Sequence, residues 1–378
     1  MCLEKFKKGG ENMPNVSIFD TYQTFNSIFD IYPDKIHTGA VVGYRKSDGT
    51  LLKFPCTLDI SRAVKDAKER WTASGLGLRP VVAKVPDSPL FDGVKEAWIG
   101  NNFREKYYVY VGLYKDRDIE RVHFLDNVLS IGAAAFLDCR KLKEITIPET
   151  VTSIEKQAFQ GCTSLKKVKV PSGVTKIEAS AFSDCVGLIS ITLPEKLNQI
   201  GKDAFAGCKS LIDIKIPDGI TAIESYAFAY CEQLTYVTIP DTVTTIGEYA
   251  FECCHSLTSI IIPNSVKEIG SGAFEDCDSL TNITIPDGIT VIECKTFACC
   301  DQLTHVTIPS GVTFIGSYAF YGCDNLESVT IPDTVTTIEK CAFAQCKKLT
   351  DITIPDSVTS IGEHVFDGCT SLSGVTIP

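Results

Sequence analysis

The sequence predicts a mostly β protein with short helical or 3₁₀ turns: a solenoid of about eleven repeats, preceded by a small α+β domain at the amino terminus. Two observations carry this. Proline recurs every 23 residues from Pro148 to Pro378 without an insertion, and phenylalanine and cysteine keep the same period from Phe136 and Cys139 to Phe366 and Cys369. Before about residue 115 that period is missing, and the apolar pattern is that of ordinary mixed elements.

Each copy reads Cys-x-x-Leu-x-x-Ile-x-Ile-Pro-x-x-Val-x-x-Ile-Gly/Glu-x-x-Ala-Phe. In the copy starting at Cys346, Ile352 and Ile354 alternate with polar neighbours, which marks a strand with one buried face. Pro355 ends the strand because proline brings no N–H to a ladder, and Asp356-Ser357 supplies turn chemistry. Val358 and Ile361 make a second short extended piece, and Ala-Phe, with Val365 replacing the alanine here, is expected on a single helical or 3₁₀ turn. A unit of this length cannot bury its apolar residues alone. Stacking the copies buries them in one core, with strands about 4.8 Å apart and a body on the order of 50 Å long.

The motifs Leu-x-x-Ile-x-Ile-Pro, Val-x-x-Ile and Ala-Phe-x-x-Cys at period 23 resemble the BspA-type leucine-rich repeat, a class of bacterial and some protozoan surface proteins. The resemblance covers about two-thirds of the chain. It implies a right-handed leucine-rich-repeat solenoid with a concave sheet, and surface-exposed adhesins that bind host or neighbouring-cell proteins. After the strand, the general leucine-rich pattern has Asn or Cys, but this chain has Thr150, Gly173, Thr242 or Gly288. An asparagine ladder is therefore absent, and a cysteine ladder stands three residues before the strand leucine.

Three domain segments are expected: 1–115 as the α+β domain, 116–130 as a capping strand in which Ile119, Val122 and Phe124 take the places of Leu142, Ile145 and Ile147, and 131–378 as the solenoid. In the first, Asp59 or Ser61 can cap a helix carrying Ile60, Ala63, Val64, Ala67 and Trp71, ended near Gly75 and Gly77. Strands are expected at 41–44, 51–54, 81–85 and 107–113. At the other end, Val375-Thr376-Ile377-Pro378 is an open strand edge that predicts self-association.

The 378 residues carry a formal charge of −11, unevenly divided: net +3 up to Asp118 and net −14 from Ile119 onward. An acidic repeat region argues against nucleic acid as the partner, whose binding needs Lys and Arg at phosphates. No apolar run is long enough to enter a membrane, and no signal peptide is visible, which alone points to the cytoplasm, whereas the family resemblance implies the cell surface.

Common enzyme signatures are missing. There is no His-Glu-x-x-His, no Gly-x-Ser-x-Gly and no phosphate-cradling glycine loop, and the five histidines are scattered, so no catalytic residue, cofactor or metal is assigned. Disulfides between stacked cysteines satisfy distance but not direction, so a ladder of free, buried thiols is expected. Cys253, Cys294, Cys299 and Cys341 with His255 are weighed as a zinc site, but no Cys-x-x-Cys pair is present. Asp218, Asp241, Asp287, Asp333 and Asp356 are weighed as a calcium edge and read as turn residues.

Outward strand positions are informative because the core does not dictate them. The place before the first strand Ile or Val holds Tyr236, Ser259, Asn282 and His305 in four successive copies, and most copies carry threonine after that Ile or Val. Lys143, Lys166, Lys167, Lys169 and Lys215 form a basic patch earlier in the array. Tyr236, Ser259, Asn282, His305, Lys166, Lys167, Lys169 and Lys215 are the candidate partner-binding residues, for a protein or glycan ligand such as a host extracellular component. Tyr226, Tyr249 and Tyr318 share one register position and suggest a second aromatic stripe. The functional expectation is a non-enzymatic, adhesin-like binding protein; the alternatives are an intracellular scaffold, or a sensing or catalytic first domain with the repeats as its docking arm.

Overall fold

Alternation of buried and exposed residues, repeated every 23 positions, is closed into parallel β-solenoid turns, about eleven in all. The computed structural model describes residues 40–46, 51–53, 94–100, 107–109, 119–124 and 128–376. The chain divides into two compact units, Met1–Val174 and Thr175–Pro378.

In the first unit, Arg121–Phe124 pairs in parallel with Glu144–Ile145, and Val128–Ile131 with Ser153–Ile154. The segment expected as a capping strand thus carries the two strands of a turn. Parallel pairing also reaches back beyond the readable repeat, from Val94–Gly100 to Arg121–Phe124 and from Tyr107–Val109 to Val128–Ile131. Val94–Gly100 is a strand that the sequence pattern did not disclose, since Val-Lys-Glu-Ala-Trp-Ile-Gly does not alternate. Ala40–Lys46 lies antiparallel to it and to Leu51–Lys53, giving a five-stranded mixed sheet. The expected helix near Asp59 to Trp71 and the strand at 81–85 fall outside the described residues.

The second unit repeats one design. On one side run the strands Asp213–Lys215 and Tyr236–Thr238, then Ser259–Ile260, Asn282–Ile283, His305–Thr307, Ser328–Thr330, Asp351–Thr353 and Gly374–Thr376. Their middle residues, such as Val237, Ile260 and Val306, point into the core while the flanking ones face solvent. After each proline, the proline carbonyl accepts the N–H three residues on, as from Val243 to Pro240 at 3.0 Å, which closes the turn. Where the asparagine ladder is missing, hydroxyls serve instead. Thr242 Oγ1 donates to the Ile220 carbonyl at 2.7 Å, and Ser265 to that of Val243 at 2.7 Å.

The Ala-Phe segment is not helical. It is a run of turns in which successive N–H groups bond alternately to a carbonyl three residues back and to one in the next copy. Ala227 bonds to Glu224 at 3.1 Å, Phe228 to Ala250 at 2.9 Å and Ala229 to Tyr226 at 3.2 Å. Two residues per turn take left-handed backbone, such as Tyr226 (φ 58°) and Tyr230 (φ 59°), and these break any helical run. The lateral bonds make this side a second ladder that ties each turn to its neighbour.

Between the two ladders stand the phenylalanines, of which those from Phe136 to Phe343 are the largest fully buried side chains, while Phe366 is half-buried. In the first unit the rings of Phe136 and Phe159 stack at 5.0 Å; in the second, the pairs from Phe182–Phe205 to Phe343–Phe366 stack at 5.3–6.0 Å. Beside them the ladder thiols donate to phenylalanine carbonyls, as Cys231 to Phe205 at 3.3 Å and Cys300 to Phe274 at 3.2 Å. All fifteen described cysteines are free, and burial pushes the ladder thiols of Cys231, Cys277 and Cys323 far above their ordinary range. A thiol reagent at pH 8 is therefore expected to leave the buried ladder cysteines from Cys139 to Cys346 unmodified in the folded protein, to reach the half-buried Cys369, whose thiol pKa the Cys346 contact lowers, and to titrate nearly all 17 cysteines after denaturation without reductant. Most of them proving oxidised would overturn the free-ladder reading.

Candidate functional site

Because the inward residues are consumed by the core, chemistry on the strand side is left to the alternate positions. In the second unit Ser259, Asn282, His305 and Ser328 stand opposite one another in direct register, and all are exposed. Tyr236 holds the equivalent place one copy earlier and is 55% exposed. Next to this column runs a second outward one, Thr238, Ile261, Thr284, Thr307 and Thr330. Ile261, at 76%, is the most exposed large apolar residue described, and Ile212, at 47%, lies one copy before Tyr236. Together they make an apolar diagonal across three turns. Sequence reasoning missed both isoleucines, although Ile261 stands where neighbouring copies have threonine.

Several polar groups on this face are already oriented. His305 Nδ1 lies 3.1 Å from Ser328 Oγ, and Asn282 Nδ2 donates to Thr281 Oγ1 at 3.2 Å. Thr235 and Thr281 hydroxyls donate to carbonyls of the preceding copy at 3.1 and 3.2 Å.

The candidate lysines are divided between the units, Lys166, Lys167 and Lys169 in the first and Lys215 in the second. Lys169 Nζ donates to Glu149 Oε1 at 2.7 Å, and this bond, with the Ser172 N–H, holds the Glu149 carboxyl below its ordinary range. Lys143 is paired with Glu120 at 2.8 Å, and Lys215 lies 3.9 Å from Glu195. Acidic neighbours thus offset three of the five lysines of the basic patch, while Lys166 and Lys167 stand exposed.

On the turn side, Tyr226 and Tyr249 stack at 5.0 Å, with Lys202 Nζ 5.4 Å from the Tyr226 ring. The stripe then stops. The equivalent residue in the next copy is Gly272 (φ 62°), whose missing side chain leaves room for the Tyr249 ring: a Cβ there would fall 2.3 Å from Tyr249 Cε1. Tyr318 instead meets Tyr321 edge-on at 5.6 Å. Close by, burial and then the charge of Glu275 raise the pKa of Glu252, while Lys295 neutralises Glu275 at 2.8 Å.

Of the residues weighed for zinc, Cys253, Cys299 and His255 are engaged with aspartates. Cys253 Sγ lies 3.8 Å from Asp276 Oδ2, and His255 Nδ1 lies 2.9 Å from Asp278 Oδ2. Burial and then Asp276 push the thiols of Cys253 and Cys299 up to about 12. Among the described residues no three His, Cys, Asp or Glu converge to hold a metal ion, and no helix is long and apolar enough to cross a membrane.

Comparison with known proteins places this geometry. Residues 109–235, 198–327 and 290–378 match the BspA type leucine-rich repeat region, six copies. A crystal structure of a leucine-rich repeat protein from Bacteroides ovatus ATCC 8483 is similar at 27% identity, covering 79% of this chain and 88% of that one, with a TM-score of 0.59. A leucine rich cell surface protein from Faecalibacterium prausnitzii A2-165 is similar at 30% identity, covering 75% of this chain and 85% of that one, with a TM-score of 0.50. No curated protein matches the chain.

The Glu252 carboxyl gives a test of the turn-side cluster. A carboxyl whose folded pKa lies above its unfolded value costs stability as pH rises through the carboxylate range, and costs nothing below both values. Glu252→Gln is therefore expected to raise the thermal midpoint at pH 7 and to leave it unchanged at pH 3. Equal midpoints at both pH values would show that Glu252 is as well solvated folded as unfolded.

Proposed function

Because the chain belongs to the BspA-type leucine-rich repeat family, we propose that it is a non-enzymatic, adhesin-like binding protein of the cell surface that grips a macromolecular partner with the strand face of its second unit. The observation that carries this is the exposed column Tyr236, Ser259, Asn282 and His305, backed by the apolar diagonal of Ile212, Tyr236 and Ile261. A solenoid of this kind offers an extended face built on a rigid core, which is the material of partner recognition rather than of catalysis. The similarity to a cell surface protein of Faecalibacterium prausnitzii supports a surface location. Lys166, Lys167, Lys169 and Lys215 are proposed as a secondary contact region, steering partners more than holding them, since exposed charges are screened by salt.

The free thiol ladder favours a second reading, an intracellular scaffold of the same architecture. One experiment addresses both. Beads coated with the full chain are expected to adhere to the surfaces of host or neighbouring cells, and replacing Tyr236 and His305 together by alanine should weaken adhesion more than tenfold at an unchanged melting temperature. Undiminished adhesion by the double variant would remove this patch, and no adhesion by the unsubstituted chain would leave the scaffold.

A further inference from the structure

The strand face of the second unit has a chemistry unlike the rest of the repeat region. From Thr235 to Thr307, its outward residues in four successive turns are Thr235, Tyr236 and Thr238; Thr258, Ser259 and Ile261; Thr281, Asn282 and Thr284; Thr304, His305 and Thr307. None carries a fixed charge, in a region that holds 18 Lys and Arg and 32 Asp and Glu from Ile119 onward. Charge returns only at Asp213 and Lys215 on one side and at Glu327 and Asp351 on the other. The turn edge below the strip is acidic, with Asp278, Asp301 and Asp324 at equivalent places in successive copies.

We infer that this uncharged strip binds a neutral, β-linked glycan chain laid across successive turns, an assignment that rests on the strand-face binding role proposed above. Charge matching disfavours an anionic chain, because the strip itself offers no fixed cation, the Asp278 and Asp301 carboxylates lie along its turn edge, and the nearby lysines, Lys215 and Lys347, face Glu195 and Asp324. Hydroxyl, amide and imidazole groups at Ser259, Asn282, His305 and Ser328 can donate to and accept from sugar hydroxyls, and Tyr236 with Ile261 supplies the flat apolar contact that the C–H face of a pyranose needs. Spacing agrees. The register Ser259, Asn282, His305, Ser328 presents one polar side chain per strand, at intervals of about 4.8 Å, close to the advance of one pyranose in an extended β-linked chain. A protein partner suits this strip less well, since Ser and Thr are under-represented among residues that dominate protein interfaces.

The test is native affinity electrophoresis of the full chain in gels containing hydroxyethyl cellulose, mixed-linkage β-glucan, galactomannan or arabinoxylan, with polygalacturonate as the anionic comparison. Retardation is expected in at least one neutral gel and not in polygalacturonate, and 0.5 M NaCl should leave it unchanged, since no ion pair is involved. Asn282→Ala with His305→Ala should weaken the interaction at least tenfold, Tyr236→Phe should retain it, and Tyr236→Ala should lose it, with unchanged melting temperatures throughout. No retardation in any neutral gel, or equal retardation of the Asn282/His305 variant, would overturn the glycan assignment. If the gels fail while the Tyr236/His305 variant still loses adhesion to cells and protease treatment of those cells abolishes adhesion, the partner is a protein and only the glycan assignment falls.

Discussion

Within each unit the repeat turns depend on one recurring contact, a phenylalanine ring lying flat against that of the neighbouring turn. Within each unit the ring centroids are 5.0–6.0 Å apart, only slightly more than the ~4.8 Å between paired strands. The ring stack and the backbone ladders therefore advance together. Each phenylalanine amide from Phe182 to Phe343 also bonds sideways to the next copy, as Phe251 to Ala273 at 2.9 Å, and each carbonyl of the same eight phenylalanines accepts a thiol from the copy beyond. A one-residue insertion would shift all three at once, which explains why the spacing holds at 23 without exception from Pro148 to Pro378.

This division of labour decides what could be read from the sequence. The core positions were legible because periodic packing needs periodic residues: Phe251, Cys254, Leu257, Ile260 and Val266 fall where the repeat puts them, and all are buried. The turn after Ile246 was not, because its conformation depends on left-handed backbone at Tyr249 and Cys253, residue types that do not advertise a positive φ. Nor was the extent of the tyrosine stripe, which depends on the glycine at 272 in the following copy. Val94–Gly100 was hidden for another reason: its parallel partner Arg121–Phe124 is offset by 25 residues, not 23, so the clock that reveals every other turn does not reach it.

The candidate site shows the converse. Outside the threonine column, outward residues carry no period, so the column of Tyr236, Ser259, Asn282 and His305 could be placed on one face from register alone, while the exposure of Ile212 and Ile261 needed the structure. The lysines illustrate the limit of counting charges along a chain, since Glu149 and Glu120 hold Lys169 and Lys143 directly. Core and face are built from alternate residues of the same strands, and this lets the outward surface vary without cost to the stack beneath it. Binding and stability should accordingly separate at single-residue resolution.

Phe274→Ala against Ile261→Thr tests that separation most directly. Phe274 lies fully buried between Phe251 and Phe297, at 5.5 and 5.7 Å, whereas Ile261 is exposed on the strand face. Equilibrium unfolding should show Phe274→Ala losing about 3–5 kcal/mol and Ile261→Thr changing by no more than about 0.5 kcal/mol. Equal losses from the two substitutions, or a tolerated Phe274→Ala, would contradict the account of a ring stack that carries the fold and a strand face that is free of it.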